Sequence, residues 1–199
     1  MSHTLLINIA RVISILGLGL LTFSAIGGTL LASRTAQKIK FLKGQTFKYH
    51  RALSITGTVL LLLHPVPLWL ASKTTGITLA SIFVPFLANK QSLWVAFGTL
   101  AMYAMIAVTA TSIYIKRIKR RTWRAVHYAS YAFFTLGLVH AIPISNDFGK
   151  GAHVNFLDFE KILFYLAAVA VLAFPVWRVI AARQQAAKRL AKANLSSGD

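Results

Sequence analysis

Five long apolar runs, near residues 12 to 33, 49 to 72, 92 to 115, 123 to 143 and 157 to 181, leave this 199-residue chain few ways to fold. Each matches the roughly 20 residues needed to cross a hydrocarbon core of about 30 Å. In lipid each must be a helix, because every backbone N–H and C=O has to find its partner within its own segment. Composition agrees, with 56% of residues hydrophobic and 13% charged, too apolar for an ordinary soluble domain. The expected fold class is therefore all-α, a polytopic membrane helix bundle of about five transmembrane helices over residues 1–183, with a basic cytoplasmic tail at 184–199. Arg11 stands where a cleavable signal peptide needs its apolar core, so the first run reads as a true span.

The basic residues orient the bundle. Of the 22 Lys and Arg, six fall between Arg34 and Arg51, six between Lys116 and Arg124, and five from Arg178 to Lys192. The other side holds Arg11, Lys73, Lys90, Lys150 and Lys161, with Asp147, Asp158 and Glu160. By the positive-inside rule the two basic loops and the C-terminus are cytoplasmic and the N-terminus is outside. The net charge of +18 thus has a topological cause. Nucleic acid is not expected as a partner, since the charges sit at helix ends rather than on a folded base-reading face. Anionic lipid headgroups or an acidic cytoplasmic partner are the expected counterions. Cysteine is absent, which excludes disulfides, thiolate metal sites and cysteine nucleophiles.

Two segments lie outside this pattern. Residues 76 to 89, GITLASIFVPFLAN, are apolar but too short to span and contain Pro85, so an outer interfacial or re-entrant segment, or a lid, is expected. Residues 143 to 158, PISNDFGKGAHVNFLD, suit an exposed outer loop. His153 and Asp147 in that loop are candidates to serve an outer acceptor, beside the plainer reading of a solvated loop.

Six histidines occur, and four of them lie on two spans. His50 and His64 are 14 residues apart on the second; His127 and His140 are 13 apart on the fourth. At about 1.5 Å rise per residue these gaps are about 21 Å and about 20 Å. The two spans are separated by one other, so they run in the same direction, and their histidines match in level. His50 and His127 share the inner level; His64 and His140 share the outer one. Facing imidazoles at two depths are what bis-histidine haem ligation requires, and an ionisable group inside a membrane is a functional candidate by default. Fourteen residues return to within about 40° of the starting helix face, whereas thirteen miss it by about 140°, so the fourth span needs tilt, an irregularity or long reach. A proton relay and plain structural hydrogen bonding remain alternatives for these histidines.

Neighbouring residues extend the pattern. Gly57 lies between the first pair and Gly137 just before His140, either admitting a flat macrocycle or mediating helix contact. Arg51, Arg121 and Arg124 stand near the inner histidines, placed to pair with haem propionates; the positive-inside role alone is their other reading. Phe133 and Phe134 fall between the two levels, where a ring would fill the gap, unless they simply pack against lipid or core.

At these residues the sequence resembles the ferric reductase-like transmembrane domain. RTWRAVHYASYAFFTLGLVHAI is similar to that superfamily's second haem helix, which begins W-x-x-x-H, and HRALSITGTVLLLLHP is similar to its earlier one. The superfamily includes iron and cupric reductases, NADPH oxidases and the haem-binding membrane subunit of the bacterial methionine sulfoxide reductase system. The resemblance covers about residues 10 to 180 and implies two b-type haems, His50 with His127 ligating the inner one and His64 with His140 the outer. Phe133 falls where the oxidase branch carries an aromatic between the haems. Ferric reductases and NADPH oxidases continue into cytoplasmic flavin and nicotinamide domains, for which no strand pattern or Gly-rich fingerprint appears here. The sulfoxide reductase subunit is nearer in size, but its first haem helix commonly lacks the earlier histidine.

The sequence therefore leads to a di-haem cytochrome b, an oxidoreductase subunit of a bacterial inner (plasma) membrane. Its donor is expected to be a separate cytoplasmic flavoprotein, a reduced flavin supplied by a partner or bound at the cytoplasmic face, or quinol. Its acceptor is expected to be ferric iron, oxygen or a periplasmic protein. The reading from another class is a haem-free proton or ion pathway, or a scaffolding subunit.

Overall fold

The computed structural model describes residues 2–31, 40–144 and 159–196, nearly all of them helical. Ser2 caps the first helix: its Oγ accepts from the Leu5 N–H at 3.3 Å, taking one of the donors that a helix start leaves over. From there α1 runs unbroken over His3–Leu31. It begins well before residue 12, the expected start of the span, because neither proline nor glycine interrupts residues 3–16.

Helix α2, Lys40–Leu63, ends where Pro65 and Pro67 withdraw backbone donors. The His64 N–H still closes on the Leu60 carbonyl at 2.9 Å, so His64 occupies the last turn before the short α3, Pro65–Leu70. Gly76, at φ +75°, stops α4, Ser72–Thr75, in the left-handed conformation that a side chain resists. Helix α5, Leu79–Phe83, opens on a capping box between Thr78 and Ser81.

The expected interfacial segment 76–89 is thus α5 with its flanks, and it is tied down. The Tyr103 hydroxyl donates to the Phe83 carbonyl, Ser92 Oγ to the Phe86 carbonyl at 2.7 Å, and Lys90 Nζ to the Thr74 carbonyl at 3.0 Å. Phe83, Phe86 and Leu87 face outward, which suits a place at the edge of the lipid.

The chain continues through α6, Ser92–Ile113, a single 3-10 turn, Ile115–Arg117, and α7, Arg120–Ile144, to α8, Phe159–Ser196. Among the described residues, four helical stretches are long and apolar enough to cross a membrane, over His3–Thr29, Gly44–Leu70, Ser92–Ile113 and Arg120–Ile144. The fifth expected span lies on α8, whose described apolar stretch is Lys161–Ala170. Helix α8 also runs unbroken through the expected boundary between 183 and 184. The expected outer loop, with His153 and Asp147, lies outside the described residues.

Two helix pairs build the bundle, α1 with α2 and α6 with α7, joined by lighter contacts of α2 with α6 and of α8 with α1 and α7. Reciprocal glycines set the first pair's spacing. A Cβ at Gly57 would stand 2.9 Å from Leu21 Cγ and 3.1 Å from the Gly17 carbonyl oxygen, and one at Gly17 would stand 2.8 Å from Leu61 Cγ. Gly57 is therefore a helix-contact glycine, close backbone approach being what holds helices together in lipid. At Gly137 a Cβ would meet only Ala101 Cβ, at the ordinary distance of 3.9 Å.

Leu138 of α7 and Ala167 of α8 form a small core with Leu18, Phe134, Phe164 and Ala168. Phe134 thus packs against the α7–α8 core, the plainer of its two expected roles. Outside this core, Val12, Phe23, Val59, Leu100, Ile106 and Val169 all face outward. Together with the four long apolar helices, that surface makes the chain an integral membrane protein.

Candidate functional site

The four span histidines stand at two levels, His50 on α2 and His64 in the turn that follows it, His127 and His140 on α7. His50 and His127 face each other near the end where Lys48, Arg51 and the basic run 116–124 gather, here called the basic end. Their ring centres are 6.2 Å apart with planes at 82°. His64 and His140 lie toward the opposite end, each held by a carbonyl of a neighbouring helix.

Each ring is held from behind by a helix that carries none of these four histidines. His50 Nδ1 lies 2.8 Å from the Ser24 carbonyl on α1, and His64 Nδ1 lies 3.0 Å from the Ala10 carbonyl on the same helix. His140 Nδ1 lies 2.7 Å from the Trp94 carbonyl on α6. A carbonyl oxygen only accepts, so in all three rings Nδ1 is the donor, and in the neutral imidazole that leaves the lone pair on Nε2. That is the tautomer a metal-ligating histidine needs, and such a bond from the far nitrogen is the usual way to fix it.

Further contacts reinforce two of the four rings. Beside His50, Ser24 Oγ lies 2.9 Å from Nδ1, 3.1 Å from the His50 carbonyl and within hydrogen-bond reach of Ser54 Oγ. His127 stacks on Trp123 at 4.9 Å and 21°, one helical turn away. Ser112 Oγ on α6 stands 3.5 Å from His127 Nδ1 and takes a bond from Trp123 Nε1 at 3.4 Å.

The 13-residue phase on α7 is reconciled without a break, since α7 is helical throughout. His127 turns toward α2 and His140 lies back over α6, where Gly98 leaves it space.

This donor set fits haem. Among the described residues no group of three or more His, Cys, Asp or Glu gathers as a metal cage; a macrocycle supplies four of its metal's ligands, so two opposed imidazoles complete the set. With a metal–nitrogen bond of about 2.0 Å, two imidazoles on opposite sides of one metal have ring centres about 6.3 Å apart, close to the spacing of His50 and His127.

The other anticipated residues fall as follows. Arg51, Arg121 and Arg124 are exposed at the basic end, on the same helices as His50 and His127. Phe133 is half-buried on α7, seven residues before His140 and so on nearly the same helix face. Sequence reasoning did not assign Ser24, Gly28, Trp94, Gly98 or Ser112, because their roles depend on which helices become neighbours. Trp123 was legible as the start of W-x-x-x-H, a spacing that stacks two rings along one helix face.

The family model for the ferric reductase-like transmembrane component matches residues 13–138. The matched stretch contains His50, His64 and His127 and stops two residues short of His140. No curated protein and no solved structure matches the chain.

Proposed function

The chain belongs to the ferric reductase-like transmembrane component family, and from that premise we propose that it carries electrons across the bilayer with two bis-histidine b-type haems. His50 and His127 would hold the haem near the basic end, and His64 and His140 the one near the opposite end. Each haem, when bound, supplies a one-electron iron couple at its own level of the membrane. The observation that carries the reading is the His50–His127 pair, 6.2 Å between ring centres, with the His50 tautomer fixed by the Ser24 carbonyl.

In this reading the chain's own residues do three things. The α1 and α6 carbonyls orient the imidazoles and raise their basicity. Arg51, Arg121 and Arg124 offer charge-assisted bonds to propionates at the basic end. The apolar helices exclude water, and Phe133 lies on the His140 side of α7, between the two levels.

The basic end is proposed as cytoplasmic, from the charge asymmetry, in a bacterial inner membrane. The donor there is a separate flavoprotein, a reduced flavin held by a partner or at this face, or quinol. The acceptor on the far side is ferric iron, oxygen or a periplasmic protein. Residues 184–199 would form a basic tail on the donor side.

A visible spectrum of the full chain purified from haem-replete cells tests this. The expected result is a Soret band and a reduced α band of low-spin b haem, at two haems per chain. A colourless, correctly folded preparation refutes it in favour of a haem-free ion pathway or scaffold.

A further inference from the structure

Two glycines on the helices that carry no ligand stand against ligand histidines. A Cβ at Gly28 on α1 would lie 2.9 Å from His50 Cε1 and 3.3 Å from its Nδ1. A Cβ at Gly98 on α6 would lie 2.6 Å from both Cε1 and Nδ1 of His140 and 3.0 Å from its Nε2. These differ from the contacts at Gly17 and Gly57, which face leucine side chains and each other's backbone.

Both glycines follow the carbonyl that their histidine uses by four residues: Ser24 and Gly28 for His50, Trp94 and Gly98 for His140. In an α-helix the carbonyl of residue i accepts from the N–H of residue i+4. The Cβ at i+4 tilts back toward the N-terminus, over the turn that holds that carbonyl. A side chain there flanks the carbonyl, whereas glycine leaves its second lone pair open to a neighbouring imidazole. The third such carbonyl, Ala10 for His64, is followed at i+4 by Ser14, a small residue whose hydroxyl bonds Arg11 instead and leaves Ala10 to the ring.

The geometry points to Gly28 and Gly98 as positioning residues, each opening a helix carbonyl as the seat of one ligand histidine. The inference rests on the haem reading above and deepens it. Each histidine pair receives one glycine seat, on α1 for the basic-end pair and on α6 for the opposite pair. The two haem environments are therefore separately adjustable from helices that contribute no ligand.

The test uses the full chain with haem bound, in detergent, and compares wild type with Gly28→Ala, Gly98→Ala and the contact control Gly17→Ala. The readouts are haem per chain, potentiometric titration and the low-spin EPR signals. Gly28→Ala is expected to shift or remove one of the two signals with its potential, Gly98→Ala the other, and Gly17→Ala neither.

The double variant His50→Ala/Gly28→Ala is expected to match His50→Ala alone, because the new methyl then has no ring to strike. If Gly28→Ala is too unstable to purify, recovery of the fold in that double variant supports the inference and failure to recover overturns it; His140→Ala/Gly98→Ala serves the same purpose for Gly98. Two unmoved signals in both glycine variants, or the same signal moved by both, overturn the seats while the haem reading stands. A wild type without haem overturns both.

Discussion

Replacing Trp123 tests how the ring of His127 is held. The indole contributes two separable contacts, the face-to-face stack on His127 at 4.9 Å and 21° and the Nε1 bond to Ser112 at 3.4 Å. A ring pair in such an arrangement is worth about 0.5–1.5 kcal/mol beyond its buried area, and a hydrogen bond contributes about 0.5–1.5 kcal/mol net. Trp123→Phe keeps a ring over His127 and loses the bond; Trp123→Ala loses both. At about 1.4 kcal/mol per factor of ten, the phenylalanine variant should hold the basic-end haem about 2- to 13-fold less tightly and the alanine variant about 5- to 150-fold less. The assay follows the loss of each haem to an excess of apomyoglobin, the two being distinguished by their low-spin EPR signals. Repeating it in a Ser112→Ala background closes a double-mutant cycle, in which Trp123→Phe should then cost almost nothing. Equal weakening of both haems, or an alanine variant no worse than the phenylalanine one, refutes the argument that the stack orients His127.

Two further outcomes follow from the same geometry. His64→Ala should remove one haem and abolish transfer across liposome membranes while the basic-end haem stays reducible; retention of both haems would show the pairing by level to be wrong. Gly57→Val should destabilise the bundle by about 1–3 kcal/mol, the usual cost of overpacking, because its Cβ would lie 2.9 Å from Leu21 and 3.1 Å from the Gly17 carbonyl oxygen. Unfolding in mixed micelles measures this, and Leu21→Ala should recover only part of the loss since the Gly17 oxygen is backbone.

The helices were legible because hydrocarbon leaves a backbone no alternative, and the levels of His50, His64, His127 and His140 were legible because helical rise converts residue number directly into depth. What rise does not contain is rotation between neighbours. The 13-residue interval on α7 looked like an obstacle on an isolated helix, yet it disappears once His140 is allowed to lie back over Gly98 on α6 while His127 turns to α2. Gly57 shows the same gap: its place between two histidines left cofactor contact and helix contact equally open, and its close approach to Gly17 and Leu21 is what brings α1 against α2. Gly28 and Gly98, which do stand against the rings of His50 and His140, sit on helices that carry none of the four histidines to draw attention to them. Phe134 likewise looked interchangeable with Phe133 until the packing of α7 on α8 separated them. Residues 76–89 were read as too short to span, but the capping box of α5 and the segment's ties to α6 required knowing which backbone carbonyls came within reach.

The pairing of each histidine-bearing helix with one that carries none of the four answers a constraint of the membrane. A histidine that ligates through Nε2 must place its Nδ1–H somewhere, and hydrocarbon holds no water to receive it, so an unpaired N–H there carries a desolvation cost of several kcal/mol. Carboxylates are the alternative acceptor, but a buried charge is costlier still in lipid, and the chain carries only four acidic residues. Helix carbonyls are abundant and uncharged, and each has a lone pair to spare beyond its helix bond; they are sheltered only by the side chain four residues on. A bundle that uses them needs a neighbouring helix close enough to reach and small enough at that one position. The pairs α1–α2 and α6–α7 supply both conditions, so the packing that stabilises the fold and the bonds that orient the imidazoles arise from the same contacts. A substitution bulky enough to separate either pair, such as Gly57→Val, should therefore disturb its histidines even when it touches none of them, whereas the single methyl of Gly17→Ala meets the movable side chain of Leu61 and should leave them in place.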